Sequence, residues 1–274
     1  MKRARLPDGT SIWCDVPLGA SAVWNEIQTY FPRDERVQSE DVVLDVGANI
    51  GLFSLAAWKQ SGGRARIYSF EPMPATCAIC QANARRFDPK GANWQTLRTG
   101  LGASEEVAMF HHFPRLSVLS GRVRDRKRAL EELDAMLSAD KMGVPLQVFS
   151  LVPKPVRRAS GRWIGGFLLA SRPVAAPIWT VSTALRRLGL ERLDWLKIDV
   201  EGAELDVLRG IEPDDWPRIR RVLLEAEDAH QEREARALLE SVGFRVETRD
   251  NPVFGGHDLK MMFASRPRPK KNAL

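Results

Sequence analysis

The feature that most constrains the fold is an apolar run at residues 42–46, which breaks into a turn with a glycine at each end. An uninterrupted apolar run is typical of a parallel strand covered on both faces. The turn, residues 47–51, is called the glycine loop below, and it opens a helix whose first backbone N–H groups lack partners within the helix. Such a helix start favours a bound ligand, and the two glycines would let the backbone approach it closely.

Strand-like and helix-like segments alternate on both sides of a central interruption. The predicted segments are strands at 42–46, 65–70, 94–99, 195–199, 221–225, 244–248 and 259–264, and helices at 50–60, 75–86, 182–189, 202–209 and 230–242. A hairpin at 5–16 and a helix at 19–31 precede them. This alternation predicts an α/β fold with a doubly wound parallel sheet and helices on both faces.

A carboxylate, Glu71, follows the second predicted strand, 20 residues beyond Gly51. A carboxylate at that position accepts hydrogen bonds from ribose hydroxyl groups. The glycine loop lacks the G-x-G-x-x-G pattern of dinucleotide sites, since Leu52 stands where the third glycine would be. The pair therefore favours a nucleoside cofactor without a pyrophosphate, whereas the loop by itself is equally consistent with an ordinary strand-to-helix turn.

Composition excludes several classes of protein. No run approaches the roughly 20 apolar residues that span a bilayer, and the basic residues 1–7 lack the apolar core of a signal peptide. The chain has three cysteines, which do not form a disulfide framework, and Cys77 and Cys80 fall in a helical pattern that indicates packing. We therefore expect a cytoplasmic protein without a membrane span.

The positive charge is concentrated in one segment. Residues 115–172 carry 12 Lys/Arg and 5 Asp/Glu, which accounts for the net charge of +6 of the whole chain. The α/β alternation is lost there, so we predict a basic, largely helical lid insertion at 115–175. A basic surface attracts acidic partners, although a solvated lid with incidental charge fits as well. We expect no nucleic-acid partner, because no RNA-binding module is recognisable.

Four blocks carry a specific resemblance, of which the third is the most diagnostic. They are Val-Leu-Asp-Val-Gly-Ala-Asn-Ile-Gly at 43–51, Phe-Glu-Pro-Met-Pro at 70–74, Leu-Lys-Ile-Asp-Val-Glu-Gly-Ala-Glu-Leu-Asp-Val-Leu-Arg-Gly at 196–210, and Val-Leu-Leu-Glu at 222–225. Together they resemble the FkbM family of class I S-adenosylmethionine-dependent methyltransferases. The resemblance implies a Rossmann-like, seven-stranded sheet with the last strand antiparallel, and methylation of hydroxyl groups on natural products or sugars.

The resemblance also implies a division of the chain and a set of cofactor contacts. Residues 1–41 would form an N-terminal hairpin and helix, 42–265 the methyltransferase domain, and 266–274 a disordered tail. Matching the family's motifs onto this chain gives S-adenosylmethionine as the cofactor. The residues expected to bind it are Asp45, Gly47, Asn49, Gly51, Glu71, Pro72 and Asp199.

The sequence constrains the methyl acceptor less than it constrains the methyl donor. Leu-Ser-Gly at 119–121 is similar to a motif that opens a helical insertion in relatives from polyketide and nonribosomal-peptide assembly lines. That similarity implies a small-molecule hydroxyl substrate, either free or tethered to an acidic carrier protein. Two alternatives remain open: a sugar or glycolipid acceptor, and a non-catalytic cofactor-binding module that docks an acidic partner.

Methyl transfer to a hydroxyl oxygen requires a base within hydrogen-bond reach, and the strands of a doubly wound sheet point their carboxyl ends at the ligand. Asp199 is therefore the first candidate for the base and Glu225 the second. Many relatives end the fifth strand with Glu-x-His, but here Glu227 replaces the histidine and His230 follows three residues later. His230 could substitute as the base, or the base could come from elsewhere. No ligand spacing requires a metal, and we predict none.

Overall fold

The computed structural model describes residues 1–31, 35–112, 172–250 and 260–266. The strands are β1 (Lys2–Arg5), β2 (Ser11–Cys14), β3 (Val42–Val46), β4 (Arg66–Phe70), β5 (Trp94–Leu97), β6 (Gly100–Leu101), β7 (Glu106–His112), β8 (Arg172–Trp179), β9 (Trp195–Ile198), β10 (Arg221–Ala226), β11 (Arg245–Asp250) and β12 (Lys260–Ser265). The helices are α1 (Pro17–Tyr30), α2 (Leu52–Gln60), α3 (Pro74–Phe87), α4 (Val181–Arg187), α5 (Glu204–Arg209) and α6 (Ala229–Ser241).

Seven strands form the main sheet in the order β11-β12-β10-β9-β3-β4-β5. β12 is antiparallel to both β10 and β11, whereas β10, β9, β3, β4 and β5 pair in parallel. This confirms the predicted doubly wound α/β sheet with its last strand antiparallel. The chain runs outward from β3 to β5 and then resumes on the other side of β3 with β9. A ligand crevice forms outside the carboxyl ends of the strands at such a switch point.

Both faces of the sheet are buried, as the apolar run at β3 predicted. Every residue of β3 is buried, with Val42, Leu44 and Val46 in one hydrophobic cluster and Val43 in the other. Successive side chains of a strand point to opposite faces, so this division places the two clusters on opposite sides of the sheet. Asp45 is the polar member of the strand, and it shares the face of Val43.

The N-terminal segment packs against the main sheet's core. β1 and β2 form an antiparallel hairpin, and α1 contributes Trp24, Ile27 and Tyr30 to the cluster that contains Phe53 and Trp195. We predicted a helix from residue 19, but α1 begins at Pro17, which occupies its first turn. Proline is favoured there because the missing N–H has no partner within the helix anyway.

The chain divides into two compact units, Met1–Val107 with Ala176–Leu274, and Ala108–Ala175. The first contains the main sheet, and in it the short strand β6 is parallel to the end of β8. Residues 113–171 lie outside the described residues, and with them most of the predicted insertion and the motif at 119–121. The same holds for residues 267–274 of the predicted tail. None of the described helices is long and apolar enough to cross a membrane.

Candidate functional site

The glycine loop connects β3 to α2 in a tightly wound path. The N–H groups of Gly47 and Ala48 both donate to the carbonyl oxygen of Phe70 at 3.0 Å, and Gly51 donates to Ala48 at 2.7 Å. The backbone φ angle is positive at Gly47 (74°), Asn49 (50°) and Gly51 (85°). The loop is therefore fixed against the end of β4, the strand that carries the predicted ribose carboxylate.

Both glycines are required by packing within the protein. A Cβ at Gly47 would stand 1.8 Å from the carbonyl oxygen of Asp199, and one at Gly51 would stand 2.9 Å from Sγ of Cys80 and 3.2 Å from Trp94. The sequence predicts that these glycines allow a ligand to approach the backbone. The structure gives a different reason, because protein atoms already occupy the space that a side chain would need.

Glu71 links the end of β4 to the glycine loop. One carboxylate oxygen accepts from the N–H of Asn49 at 2.9 Å and the other from the N–H of Met73 at 2.8 Å. Burial raises the pKa of Glu71 to about 7, although these two hydrogen bonds favour its charged form. Pro72 stands between Glu71 and Met73 in the chain. Glu71 thus lies beside the glycine loop.

Asp45 lies beneath the glycine loop and is wholly buried. One carboxylate oxygen accepts from the N–H and the hydroxyl of Ser54, at 3.2 and 2.6 Å. The other oxygen stands 3.1 Å from Nζ of Lys197. These contacts hold the loop and the start of α2 together from below, so the structure gives Asp45 a supporting position. Its predicted contact with a cofactor stays a prediction.

Lys197 is a site residue that the sequence reasoning missed. Its ammonium group lies between two carboxylates, 3.1 Å from Asp45 and 3.4 Å from Asp199, and it donates to the carbonyl oxygen of Gly47 at 3.0 Å. Only 5% of the Lys197 side chain is exposed, against 27% for Asp199. A lysine inside the apolar strand Trp195–Ile198 was a signal that could have indicated this role.

Glu225 and Asp199 share one acidic environment at the carboxyl ends of β10 and β9. Burial and the nearby carboxylates of Asp199, Glu26 and Glu201 raise the pKa of Glu225 well above its usual range. The two predicted candidates for the base are therefore brought together. Their surroundings differ, because Asp199 has the Lys197 ammonium group beside it whereas Glu225 is among carboxylates.

Helix α1 adds a phenol that the sequence reasoning also missed. Tyr30 is buried, and burial together with the carboxylates of Asp199, Glu225 and Glu26 raises its pKa well above the usual value. The phenol is also hydrogen-bonded to Glu26, four residues earlier in α1. Residues at this spacing share one helix face. The carboxylates of Asp199, Glu225 and Glu26 form the acidic cluster of this site. The helix face therefore presents a protonated hydroxyl to this cluster.

A second carboxylate, Glu204, stabilises the turn after β9. It accepts from the N–H groups of Val200 (3.0 Å) and Gly202 (3.1 Å), and it also accepts from the amide of Gln231 in α6. Burial, joined by the charge of Glu227, raises the pKa of Glu204 to about 7. This side chain therefore stabilises the start of α5.

His230 does not join the acidic cluster. Its side chain is 71% exposed in the first turn of α6, and its Nε2 lies 3.4 Å from a carboxylate oxygen of Glu234. The helix begins one residue earlier, capped by Asp228, which directs this turn to solvent. Within the described ranges, no group of three or more His, Cys, Asp or Glu residues is arranged to hold a metal ion.

These elements together define a class of protein. The strand order, the antiparallel last strand, the glycine loop after the first core strand and the carboxylate after the next are the arrangement of the class I methyltransferase fold.

Comparison with known proteins gives the family. Residues 45–246 match the model of the methyltransferase FkbM domain, so the chain belongs to the FkbM family of methyltransferases. It is 30% identical over 270 residues to 31-O-demethyl-FK506 methyltransferase FkbM of Streptomyces tacrolimicus, covering 96% of both chains. It is also 30% identical over 256 residues to the AMB antimetabolite synthetase AmbE of Pseudomonas aeruginosa, covering 88% of this chain and 11% of AmbE.

A solved structure of the same family name is similar in outline. The methyltransferase FkbM from Methylobacillus flagellatus aligns with a TM-score of 0.47 and 14% identity, covering 82% of this chain and 43% of that one.

Proposed function

We propose that this methyltransferase uses S-adenosylmethionine to methylate a hydroxyl group of a natural-product intermediate of the polyketide or peptide type. One observation carries the proposal: Glu71, hydrogen-bonded to Asn49, and the carboxylates of Asp199 and Glu225 lie at the same switch point of the sheet. The Glu71 carboxylate suits a ribose, and the other two carboxylates suit a hydroxyl that must lose a proton.

The described residues fit this cofactor. Glu71 provides a buried acceptor for ribose hydroxyls at the end of β4. The glycine loop contains no Lys or Arg, as suits a cofactor without phosphate groups. We infer that Gly47, Asn49, Gly51 and Pro72 line the cofactor, with Asp45 supporting the loop from below.

The residues of the chain would align the acceptor and receive its proton. When bound, S-adenosylmethionine supplies a methyl group whose bond to sulfur breaks as its bond to the acceptor oxygen forms. The proton of the acceptor hydroxyl would pass to Asp199, whose carboxylate lies 3.4 Å from Nζ of Lys197. Glu225, whose pKa is raised, holds a proton more readily and is better suited to donate a hydrogen bond that orients the acceptor.

Two features support an acceptor from secondary metabolism. One relative is named for a demethyl-FK506 substrate, and another is part of an antimetabolite synthetase. The basic segment at residues 115–172 adds a reason to expect an acidic partner, such as a carrier protein that presents a tethered intermediate. A sugar or glycolipid acceptor is the alternative that keeps the same chemistry.

Calorimetry with S-adenosylhomocysteine tests whether the protein binds the proposed cofactor, and we expect binding to the purified protein. Methyl transfer to a hydroxyacyl carrier protein, the same free hydroxy acid and a sugar, assayed side by side, tests the acceptor. We expect the first two to be methylated in preference to the sugar. Absence of cofactor binding would overturn the proposal. Methyl transfer to the sugar alone would show that the acceptor is a sugar and not a natural-product intermediate.

A non-catalytic module is the second candidate, favoured by Glu227 in place of the histidine of Glu-x-His and by the exposure of His230. Asp199→Asn and Glu225→Gln distinguish the two readings. For an enzyme we expect Asp199→Asn to lower kcat by roughly 10²-fold to 10⁴-fold. Methylation that is unchanged in both variants and in His230→Ala would refute the site assignment.

A further inference from the structure

Lys197 occupies a position in the sheet where a charge is costly. It lies in β9 directly opposite Asp45 of β3, in the parallel register that pairs these two strands. Its side chain is almost completely buried, and the carboxylate opposite is wholly buried. An ion buried in a protein interior is unfavourable unless its partners and hydrogen bonds compensate it. The contacts of Lys197 show what this charge holds together.

The ammonium group of Lys197 makes contacts to both halves of the site. On the side of the glycine loop it lies 3.1 Å from Asp45 and donates to the carbonyl oxygen of Gly47 at 3.0 Å. On the acceptor side it lies 3.4 Å from Asp199. Burial opposes its charge, but Asp45 and Asp199 outweigh burial and raise the pKa of Lys197 above its usual range. The group is therefore a cation throughout any assay range.

We propose that Lys197 is a positioning residue for methyl transfer, which holds the glycine loop and the Asp199 carboxylate in a fixed relation. The inference rests on the proposed function, in which Asp199 accepts the proton of the acceptor hydroxyl. Because one ammonium group contacts Gly47 and Asp199 together, the loop and the base keep a constant separation. Such alignment is a large part of the rate of an in-line transfer.

The competing explanation is purely structural: Lys197 would serve only to compensate the buried charge of Asp45. Lys197→Met cannot separate the two roles, because it leaves Asp45 buried without its cation and the variant is expected to unfold more easily. The double variant Lys197→Met/Asp45→Asn removes that charge as well. Compared with Asp45→Asn alone, it lacks only the ammonium group beside Asp199.

We expect the double variant to unfold at nearly the same urea concentration as Asp45→Asn. Its kcat should nevertheless be about 100-fold lower, the loss typical of impaired proton transfer, with KM for the acceptor and affinity for S-adenosylhomocysteine within about threefold. A purely structural role would not lower kcat alone while KM and cofactor affinity are kept.

Lys59→Met is the matched control. Lys59 pairs with Asp8 of the N-terminal hairpin, and its loss should leave kcat unchanged. If the double variant keeps the kcat of Asp45→Asn, Lys197 is structural and the inference is wrong. If the wild-type protein binds no cofactor and transfers no methyl group, the proposed function fails instead, so the two failures are distinguishable.

Discussion

No side chain can replace the hydrogen atom of Gly47, because a Cβ there would stand 1.8 Å from the carbonyl oxygen of Asp199. The glycine loop and the end of β9 are thus in backbone contact. Gly47→Ala would have to separate them and would also place alanine at a φ of 74°. We expect a loss of at least about 3 kcal/mol in the free energy of unfolding, and affinity for S-adenosylhomocysteine lowered more than tenfold.

The control for this variant is Gly189→Ala. Gly189 has a similar positive φ of 61°, but no atom lies within 4 Å of the added Cβ. Backbone strain alone should cost about 1 kcal/mol and leave cofactor affinity unchanged. Urea denaturation and calorimetry on both variants provide the comparison. Equal losses in the two proteins would mean that the contact with Asp199 is unimportant.

Cofactor affinity should depend on pH through Glu71. Burial raises the pKa of this carboxyl to about 7 in the free protein, whereas a ribose donates to the charged form. Lowering the pH through 7 protonates Glu71, so binding is strong above pH 7 and weakens below it. We expect S-adenosylhomocysteine to bind roughly tenfold more weakly at pH 6 than at pH 8.

Glu71→Gln tests the assignment of this pH dependence. The amide does not titrate, so its affinity should be lower than that of the wild type at pH 8 and nearly constant between pH 6 and 8. Calorimetry at several pH values measures both proteins. A variant that retains the full pH dependence of the wild type would show that another group is responsible.

The sequence located those site residues that depend on strand ends. Glu71, Asp199 and Glu225 were placed correctly at the carboxyl ends of their strands, because parallel strands of a doubly wound sheet end at one edge. Lys197 was missed because its partner Gly47 is 150 residues away in sequence. Only the register of β9 against β3 brings the two together.

Tertiary packing decided the remaining positions. Tyr30 reaches the acidic cluster because α1 packs onto the core that contains Phe53 and Trp195, and no local pattern specifies that docking. His230 seemed close enough to Glu225 in sequence to replace a missing histidine. The start of α6 at Ala229 instead leaves its ring in solvent. Helix boundaries of this kind are fixed to within one residue only by the folded structure.

The buried phenol of Tyr30 should contribute to turnover. Its raised pKa keeps it protonated beside Asp199 and Glu225, so it can donate a hydrogen bond within the acidic cluster. Tyr30→Phe removes only that hydroxyl group. We expect kcat to fall about tenfold, since one hydrogen bond to a charged group contributes roughly 1.5 kcal/mol, while affinity for S-adenosylhomocysteine stays the same.

Tyr68→Phe is the matched control, since Tyr68 is the other tyrosine of the chain and lies buried in β4. Steady-state kinetics on the two variants should show a loss at Tyr30 alone. A similar loss in both would indicate a general packing effect, and no loss in either would remove Tyr30 from the site.

Stability of the glycine loop should depend on a chain of buried hydrogen bonds. The indole N–H of Trp94 donates to the hydroxyl of Ser69 at 2.9 Å, the hydroxyls of Ser69 and Ser54 lie 2.6 Å apart, and Ser54 donates to Asp45 at 2.6 Å. Donors and acceptors balance if each hydroxyl passes its proton toward Asp45. The carboxylate that pairs with Lys197 is therefore held from two sides.

Ser54→Ala breaks this chain at its centre. The hydroxyl of Ser69 loses its acceptor and Asp45 loses a donor, all within the core, so we expect unfolding to become easier by about 1 to 3 kcal/mol. Ser241→Ala, an exposed serine at the end of α6, should change the free energy of unfolding by less than about 0.5 kcal/mol. Urea denaturation with an unchanged m-value would establish the difference as one of stability. If Ser54→Ala were as stable as the wild type, the loop would be held chiefly by the ion pair between Asp45 and Lys197.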